Sequence, residues 1–433
     1  MEKKGKITVV VGGQWGSEAK GLFCSHLALR GGVTMSARTG SINAGHTVYF
    51  KGEEFKNQQI PVAWINPEVK LVIGAGAYVH IETLEREIAM IEKATGEKLV
   101  HRLYIDTRAG LHDGSHKEQS AGRHERFGTV GEGVSAAICA RLRREAGVKL
   151  FKNTEWAEKN NGILFKFADT VAILNEEYDK GGHILIEGTQ GTLLDVYLGD
   201  YPFTTSRQAV ASSWLAECGL APTLNIEVAM VCRTFPIRVA GNSGPMPAEI
   251  AWSELAQEIN KKRSELGLSH IVNQESIDQF TLHEALWAKN HGMPDSSFEL
   301  WSAEERAKFS KELVEVHKEV LLSLRPDYMH DLRRLFETTT VTKKLRRIAR
   351  LDFQNLKYAT SINRPTYLVL NFLNYKFPSL FTFDFETAPD KQEIQKYIEG
   401  IEEATGTFVR FINWKPNQMY EYRDATCTSN RKS

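Results

Sequence analysis

The chain has no apolar run approaching the roughly 20 residues of a membrane-spanning helix, and its start, MEKKGKITVV, lacks the apolar core of a signal peptide. A membrane partner is therefore not expected, and the compartment read from the sequence is cytosolic. Cysteine is scarce: Cys24, Cys139, Cys218, Cys232 and Cys427 are scattered without metal-ligand spacing, and their odd count of 5 argues for reduced thiols. Net charge is also lacking, since 54 Lys and Arg offset 54 Asp and Glu. That balance gives no reason to expect a nucleic-acid polymer as partner; a nucleotide would be a small molecule held by a local site. There is no internal repeat and no low-complexity tract, and the polar tail at 425–433 reads as disordered. What is present is a chain of 433 residues, 42% hydrophobic and 25% charged, long enough for a sizeable core in two or three domains or in one elaborated α/β unit.

The most informative stretch is 9–21, VVVGGQWGSEAKG, where an apolar strand runs into a loop whose glycines leave backbone N–H groups room to face an anion. Gly12, Gly13 and Gly16 permit close approach or positive φ, Lys20 adds a cation, and the apolar run at 21–29 predicts a helix whose N-terminus faces the same charge. The spacing is not that of a Walker motif, because Gly21 and not a hydroxyl follows Lys20. Alone, such a turn is also how an ordinary strand meets a helix. A second loop at 40–47, GSINAGHT, places the His46 imidazole beside the Ser41 and Thr47 hydroxyls and the Asn43 amide. That combination suits holding phosphate oxygens and donating a proton near neutral pH, although a single loop histidine more commonly packs or faces solvent.

Short β-branched runs at 7–11, 70–73, 103–105, 184–187, 227–232 and 367–371 alternate with helix-like segments, the pattern of an α/β fold with a mostly parallel central sheet. From 251 to 336 the texture changes to apolar residues at helical spacing among many charges, which predicts an inserted helical subdomain. Trp301 and His317 within it read as packing or surface residues. The expected organisation is thus a catalytic α/β core at 1–250, the helical insert at 251–336, a completing segment at 337–424 and the tail.

Together with the 9–21 and 40–47 loops, four later segments resemble adenylosuccinate synthetase in the right order: GTVGEG at 128–133, EGTQGTLLD at 187–195, YPFTTS at 201–206, and RVAG with GPMP at 238–247. The resemblance implies a ligase that phosphorylates the 6-oxygen of a purine nucleotide and lets the amine of L-aspartate displace phosphate, with Mg²⁺ as cofactor and a homodimer as the assembly. A purine 6-oxygen is a poor leaving group until phosphorylated, and the moving phosphoryl needs charge and positioning, not covalent help. By this likeness Lys20 stabilises the phosphoryl, His46 is the general acid on the 6-oxygen, and the Gly45 carbonyl helps hold Mg²⁺. Gly16, Glu18, Ala19, Gly21, Thr47, Asn371, Asn374 and Pro416 join Lys20, Gly45 and His46 at the phosphoryl-donor positions. Asn43, Thr129, Val130, Gln190, Thr205 and Val239 fall at the acceptor-nucleotide positions, with Arg144 where an arginine bridges subunits. Thr340, Val341, Thr342, Lys344 and Arg346, in TTTVTKKLRR at 338–347, fall at the aspartate-binding positions.

Several positions depart from the family pattern. Ser17 stands where the resemblance places the catalytic, Mg²⁺-ligating aspartate, and an unaided serine cannot act as that base. The shorter side chain makes room for a 2-amino group, and in this exchange the chain is similar to the viral branch that acts on dGMP to make N6-succino-2-amino-2′-deoxyadenylate for diaminopurine DNA; a viral source would put the protein in the host cytoplasm. Val130 lacks the hydroxyl expected on the 5′-phosphate, with Thr129 as a substitute. Asn374 replaces the aspartate that reads guanine in the donor; an amide pairs with adenine, which favours ATP or dATP over GTP. Trp414 is available to stack. Two alternatives stay open: an ordinary adenylosuccinate synthetase acting on IMP with GTP, and an inactive nucleotide-binding paralogue.

Overall fold

The computed structural model describes residues 4–119, 131–239, 243–290, 320, 324–338 and 345–423. The fold is α/β, built on a ten-stranded sheet. In chain order its strands are β1 (Lys6–Gly12), β2 (Met35–Arg38), β3 (Lys70–Ile73), β4 (Leu103–Asp106), β5 (Lys166–Ala168), β6 (His183–Glu187), β7 (Ile226–Arg233), β8 (Tyr367–Asn371), β9 (Val409–Lys415) and β10 (Gln418–Glu421). Their spatial order is β10-β9-β8-β7-β1-β6-β2-β3-β4-β5, every neighbouring pair parallel except the β9–β10 hairpin.

β1 shows why the sheet is central. Its run from Ile7 to Gly12 is buried throughout. Val10 packs with Phe23, Cys24 and Ala28 of helix α1 (Lys20–Leu29) on one face, while Ile7, Val9 and Val11 pack with Trp214, Leu356 and Ile398 on the other. A strand covered on both faces must be apolar without interruption. The chain order also reverses at β1: β2 to β5 run outward on one side, β6 returns between β1 and β2, and β7 to β9 run outward on the other. Ligands bind such sheets in the crevice beyond the carboxyl ends of the strands at that reversal.

The helices Trp252–Glu265, Gln274–Asn290 and Pro326–Leu332 bury Trp252, Ile259, Phe280 and Leu332 in a separate core shared with Phe336, Ile237 and Ile348. Those two isoleucines belong to a small sheet of Ile237–Arg238, Arg347–Ala349 and Glu249–Ile250 that carries Arg346 to the edge of the crevice. The four described cysteines are free thiols. No described helix is long and apolar enough to cross a membrane.

Candidate active site

Beyond Gly12, the end of β1, the chain enters a loop with three departures from ordinary backbone within four residues: φ is +85° at Gly16, +58° at Ser17 and +68° at Ala19. Glu18 shapes this loop from inside. Fully buried, its Oε1 accepts the N–H groups of Gln14 (3.1 Å) and Gly16 (2.8 Å), and its Oε2 meets Lys20 Nζ at 2.6 Å. A Cβ on Gly12 would stand 2.6 Å from Glu18 Oε2, and one on Gly191 would collide with Gln14 O and Glu18 Oε1, so both glycines are required by close approach. The phosphate-type loop thus carries its own carboxylate, and Lys20 is a buried, paired cation held at the first residue of α1.

His46 opens the strand His46–Phe50, directly against the start of α1: a Cβ on Gly21 would lie 2.8 Å from His46 Cβ and 2.9 Å from Thr47 O. Its Nδ1 lies 2.6 Å from Glu187 Oε1 and 3.1 Å from Arg38 Nη1. A carboxylate can only accept and a guanidinium can only donate, so Nδ1–H belongs to Glu187. Arg38 is satisfied by its ion pair with Glu187 and by Ala44 O at 2.6 Å. Glu187 and Arg38 are register partners on β6 and β2, which brings the two charges together at adjacent strand ends. Burial, seconded by Arg38, pushes the imidazole down to about 4, so it is neutral near pH 7 with Nε2 as its acceptor. Burial works to raise Glu187, but Arg38 and His46 outweigh it and hold the carboxyl below its usual range.

A third cluster surrounds Ser17. Arg346 Nη1 donates to Ser17 Oγ at 2.9 Å, and Arg233 Nη1 donates to Ser17 O at 3.2 Å. Arg233 is ion-paired with Glu337 and lies 3.8 Å from the Phe372 ring centroid, so that ring is already engaged. Despite burial, Arg233 holds the Glu337 carboxyl low.

The carboxyl ends of β1, β2 and β6 therefore bring Ser17, Lys20, Gly45, His46 and Gln190 to one crevice, with Gln190 (φ +61°) beside Gly16. Asn43 lies three residues before His46 in the same loop. Thr205 N donates to Leu194 O at 2.8 Å, and Val239 O accepts from Ser243 Oγ at 2.7 Å. Asn371, at the end of β8, donates to Glu18 O at 2.6 Å, so its amide props the phosphate-type loop. Among the described residues the buried Oδ1 of Asn374, which is 8% exposed, has no hydrogen-bond partner, nor do Asn371 Oδ1 and Trp414 Nε1. Pro416 sits in the β9–β10 turn, next to a cavity of about 400 Å³ lined by His26, Phe385, Trp414 and Tyr420. Arg144 is exposed at the C-terminal end of the helix Val134–Arg143. Thr129, Val130, Thr340, Val341, Thr342 and Lys344, like Trp301, His317 and the tail, lie outside the described residues. Arg38, Arg233 and Glu337 escape a reading by motif, and Glu187, although it opens the 187–195 segment, shows its role only through partners far along the chain.

The histidines give the fold a pH dependence. His26, His46 and His112 are each pushed down to about 4, chiefly by burial, while the unfolded chain restores them to about 6.5. Between those values the unfolded state binds more protons, so stability is lost as pH falls through the window. Tm should drop by several degrees between about pH 7 and about pH 5, with up to about three protons taken up on unfolding. A flat Tm over that range would show imidazoles already charged in the fold.

The profile of the adenylosuccinate synthetase family matches residues 9–164 and 152–271. The adenylosuccinate synthetase of Methanocaldococcus jannaschii is 37% identical over 57% of this chain and 69% of its own length. That of Pyrococcus horikoshii is 28% identical over 94% of this chain and 95% of its own. Among solved structures, the fully ligated adenylosuccinate synthetase of Plasmodium falciparum shares the fold with a TM-score of 0.70 at 18% identity, covering 97% of this chain and 100% of that one. The succinoaminodeoxyadenylate synthetase of cyanophage S-2L, bound to dGMP and dATP, does so with a TM-score of 0.67 at 21% identity, covering 96% and 95%. The chain belongs to the adenylosuccinate synthetase family of ligases.

Proposed function

We propose that this ligase joins L-aspartate to C6 of dGMP, with ATP or dATP as phosphoryl donor, giving N6-succino-2-amino-2′-deoxyadenylate for diaminopurine DNA. The observation that carries the reading is the neutral Ser17 side chain with Arg346 Nη1 2.9 Å from its oxygen. An aspartate there would close an ion pair on Arg346 and crowd the C2 edge of the purine. Serine leaves space for a 2-amino group, and one oxygen lone pair stays free to accept from it. The cyanophage neighbour in fold, described with dGMP and dATP, supports the same nucleotide pair.

In the first step the purine N1 proton is lost to solvent as the 6-oxygen attacks the γ-phosphorus and ADP or dADP leaves; in the second the free aspartate amine adds at C6, gives up a proton to solvent, and phosphate departs. Lys20 supplies fixed positive charge to the moving phosphoryl. His46, held neutral by burial, becomes a proton donor through Nε2 once phosphate charge beside it favours the imidazolium, with Glu187 already placed to stabilise that cation at Nδ1. Arg346 meets a substrate carboxylate, completed by Thr340, Val341, Thr342 and Lys344. Asn43, Gln190, Thr205 and Val239, with Thr129 and Val130, hold the acceptor. Arg144, exposed at its helix end, reaches the second subunit of a homodimer.

The residues fit a Mg²⁺ that is carried mainly on donor phosphates, which is how this ion usually binds. Gly45 is exposed and offers its carbonyl, whereas Ser17 Oγ already accepts from Arg346. When bound, the ion neutralises charge on the phosphoryl group. Among the described residues no group of three or more His, Cys, Asp or Glu could hold a metal without such help.

The names of the cellular relatives favour a second reading, the IMP and GTP reaction of an ordinary adenylosuccinate synthetase. Measuring nucleoside diphosphate release with dGMP, GMP or IMP crossed against ATP, dATP or GTP, with and without L-aspartate, decides between them. Aspartate-dependent turnover of dGMP well above that of IMP is expected; comparable or better IMP turnover sinks the proposal, and binding without release marks an inactive paralogue.

The donor preference rests on Asn374, whose buried Oδ1 awaits a partner. Offering guanine to a site built for adenine leaves buried polar groups unpaired at about 1–3 kcal/mol each, enough for roughly tenfold discrimination. Asn374→Asp should move preference toward GTP, incompletely. Faster release of GDP than of ADP by the unmodified protein at equal subsaturating donor would overturn this pocket assignment while leaving the Ser17 argument standing.

A further inference from the structure

One imidazole outside every motif ties the 40–47 loop to the end of the 128–133 segment. His112 follows the short strand Gly110–Leu111, is 1% exposed, and uses both of its ring nitrogens. Nε2 lies 2.7 Å from Glu132 O. A carbonyl can only accept, so Nε2 carries the proton, and the neutral ring leaves Nδ1 to accept from Ser41 Oγ at 3.2 Å. Burial pushes this imidazole down to about 4, so the arrangement holds near pH 7. His80 and His116 flank the ring, with centroids 5.4 Å and 5.9 Å away, and His112 N donates to Val79 O at 2.8 Å. Ser41 is 2% exposed, so its hydroxyl serves this contact and not a phosphate oxygen.

The 40–47 loop is anchored separately at its two ends. At the His46 end, Arg38 holds Ala44 O and Glu187 holds the imidazole. At the Ser41 end, Tyr78 N donates to Gly40 O at 2.8 Å and the hydroxyl is spent on His112. On the other side of His112, backbone contact fixes Glu132 and Gly133. A Cβ on Gly133, whose φ is +85°, would stand 2.5 Å from His116 C and from Lys117 N, so the chain there rests directly on the helix Gly114–Gln119. We infer that His112 is a positioning residue, which holds Ser41 and Glu132 at a fixed separation and so sets the spacing of the two segments bearing the acceptor-nucleotide positions Asn43 and Thr129. It does this from a place that ligand does not reach. The link to the acceptor nucleotide rests on the function proposed above; the tie between the segments does not.

The test compares the full-length unmodified protein with His112→Leu, His112→Gln and Ser41→Ala. Amide hydrogen exchange, followed without nucleotide, reads the tie through Tyr78, bonded to Gly40 O, and through Ala136 and Ala137, bonded to Gly133 O. In His112→Leu all three amides should exchange roughly tenfold faster or more, with the helix Ile81–Thr95 unchanged. In His112→Gln, whose side-chain amide still donates to Glu132 O, and in Ser41→Ala, only Tyr78 should exchange faster. In steady-state kinetics, KM for the acceptor monophosphate should rise roughly 10- to 30-fold in His112→Leu and roughly three- to tenfold in Ser41→Ala, with donor KM within about twofold. Adding Ser41→Ala to His112→Leu should raise it no further, because the bond is already gone. Multiplying effects in the double variant, equal rises in both KM values, or faster exchange on only one side of His112→Leu overturns the assignment. If His112→Leu does not fold, Ser41→Ala and His112→Gln decide: the assignment stands if both loosen Tyr78 alone and falls otherwise. Should the unmodified protein turn over no purine nucleotide, the proposed function falls, and the exchange measurement still decides for or against the tie.

Discussion

Replacing Lys20 by alanine should lower turnover by at least roughly 10² to 10⁴, the largest loss expected from any single substitution in the crevice. Two effects combine. The moving phosphoryl loses its nearest fixed cation, and Glu18, fully buried beside Lys20, is left with only the loop N–H groups to answer its charge. Removing one partner of a buried ion pair typically costs about 3–5 kcal/mol, so the variant should also melt earlier. Pairing Lys20→Met with Glu18→Gln separates the two: stability should return while activity stays lost. Recovery of activity in the double variant would remove Lys20 from the chemistry. His46→Ala should lower turnover by roughly 10² to 10⁴ at little cost to folding, and an unchanged pH–rate profile in that variant would exclude the imidazole as the acid.

Ser17→Asp should be nearly as damaging to dGMP turnover, and its signature is double. A carboxylate at 17 lies within reach of Arg346 Nη1, now 2.9 Å from Ser17 Oγ, and an ion pair there competes with the carboxylates of L-aspartate for the same guanidinium. The expected result is a dGMP rate down by more than about tenfold together with an L-aspartate KM up by about tenfold, since each lost charged hydrogen bond is worth about 1.5–3 kcal/mol. Full dGMP turnover in the variant would refute the steric argument. A lost dGMP rate with unchanged L-aspartate KM would confine the effect to the purine.

The six apolar runs became β1, β3, β4, β6, β7 and β8, because a strand buried on both faces announces itself in composition alone. β2 did not, although it lies between β6 and β3 and is buried along its length. Its sequence is MSAR, and Arg38 can be buried there only because Glu187 is its register partner 149 residues later. The hairpin β9–β10 and the three-residue edge strand β5 are likewise set by what they pack on. The same contrast governs the site. Gly16 to Gly21 and Asn43 to Thr47 are contiguous and therefore readable as loops, while Arg38, Arg233 and Glu337 come from separate elements and gain meaning only from proximity in space.

Gly21 has a consequence for mutational tolerance. With no Cβ it lets the first turn of α1 rest on the backbone of His46 and Thr47, where an added methyl would fall 2.8 Å from His46 Cβ. The spacing between the cation at 20 and the imidazole at 46 is thus set by an absent atom, and the two cannot drift independently. In an exhaustive substitution library, position 21 should tolerate as few replacements as the two functional residues it separates, and second-site suppressors of alanine there should cluster on the strand His46–Phe50 and not around any ligand.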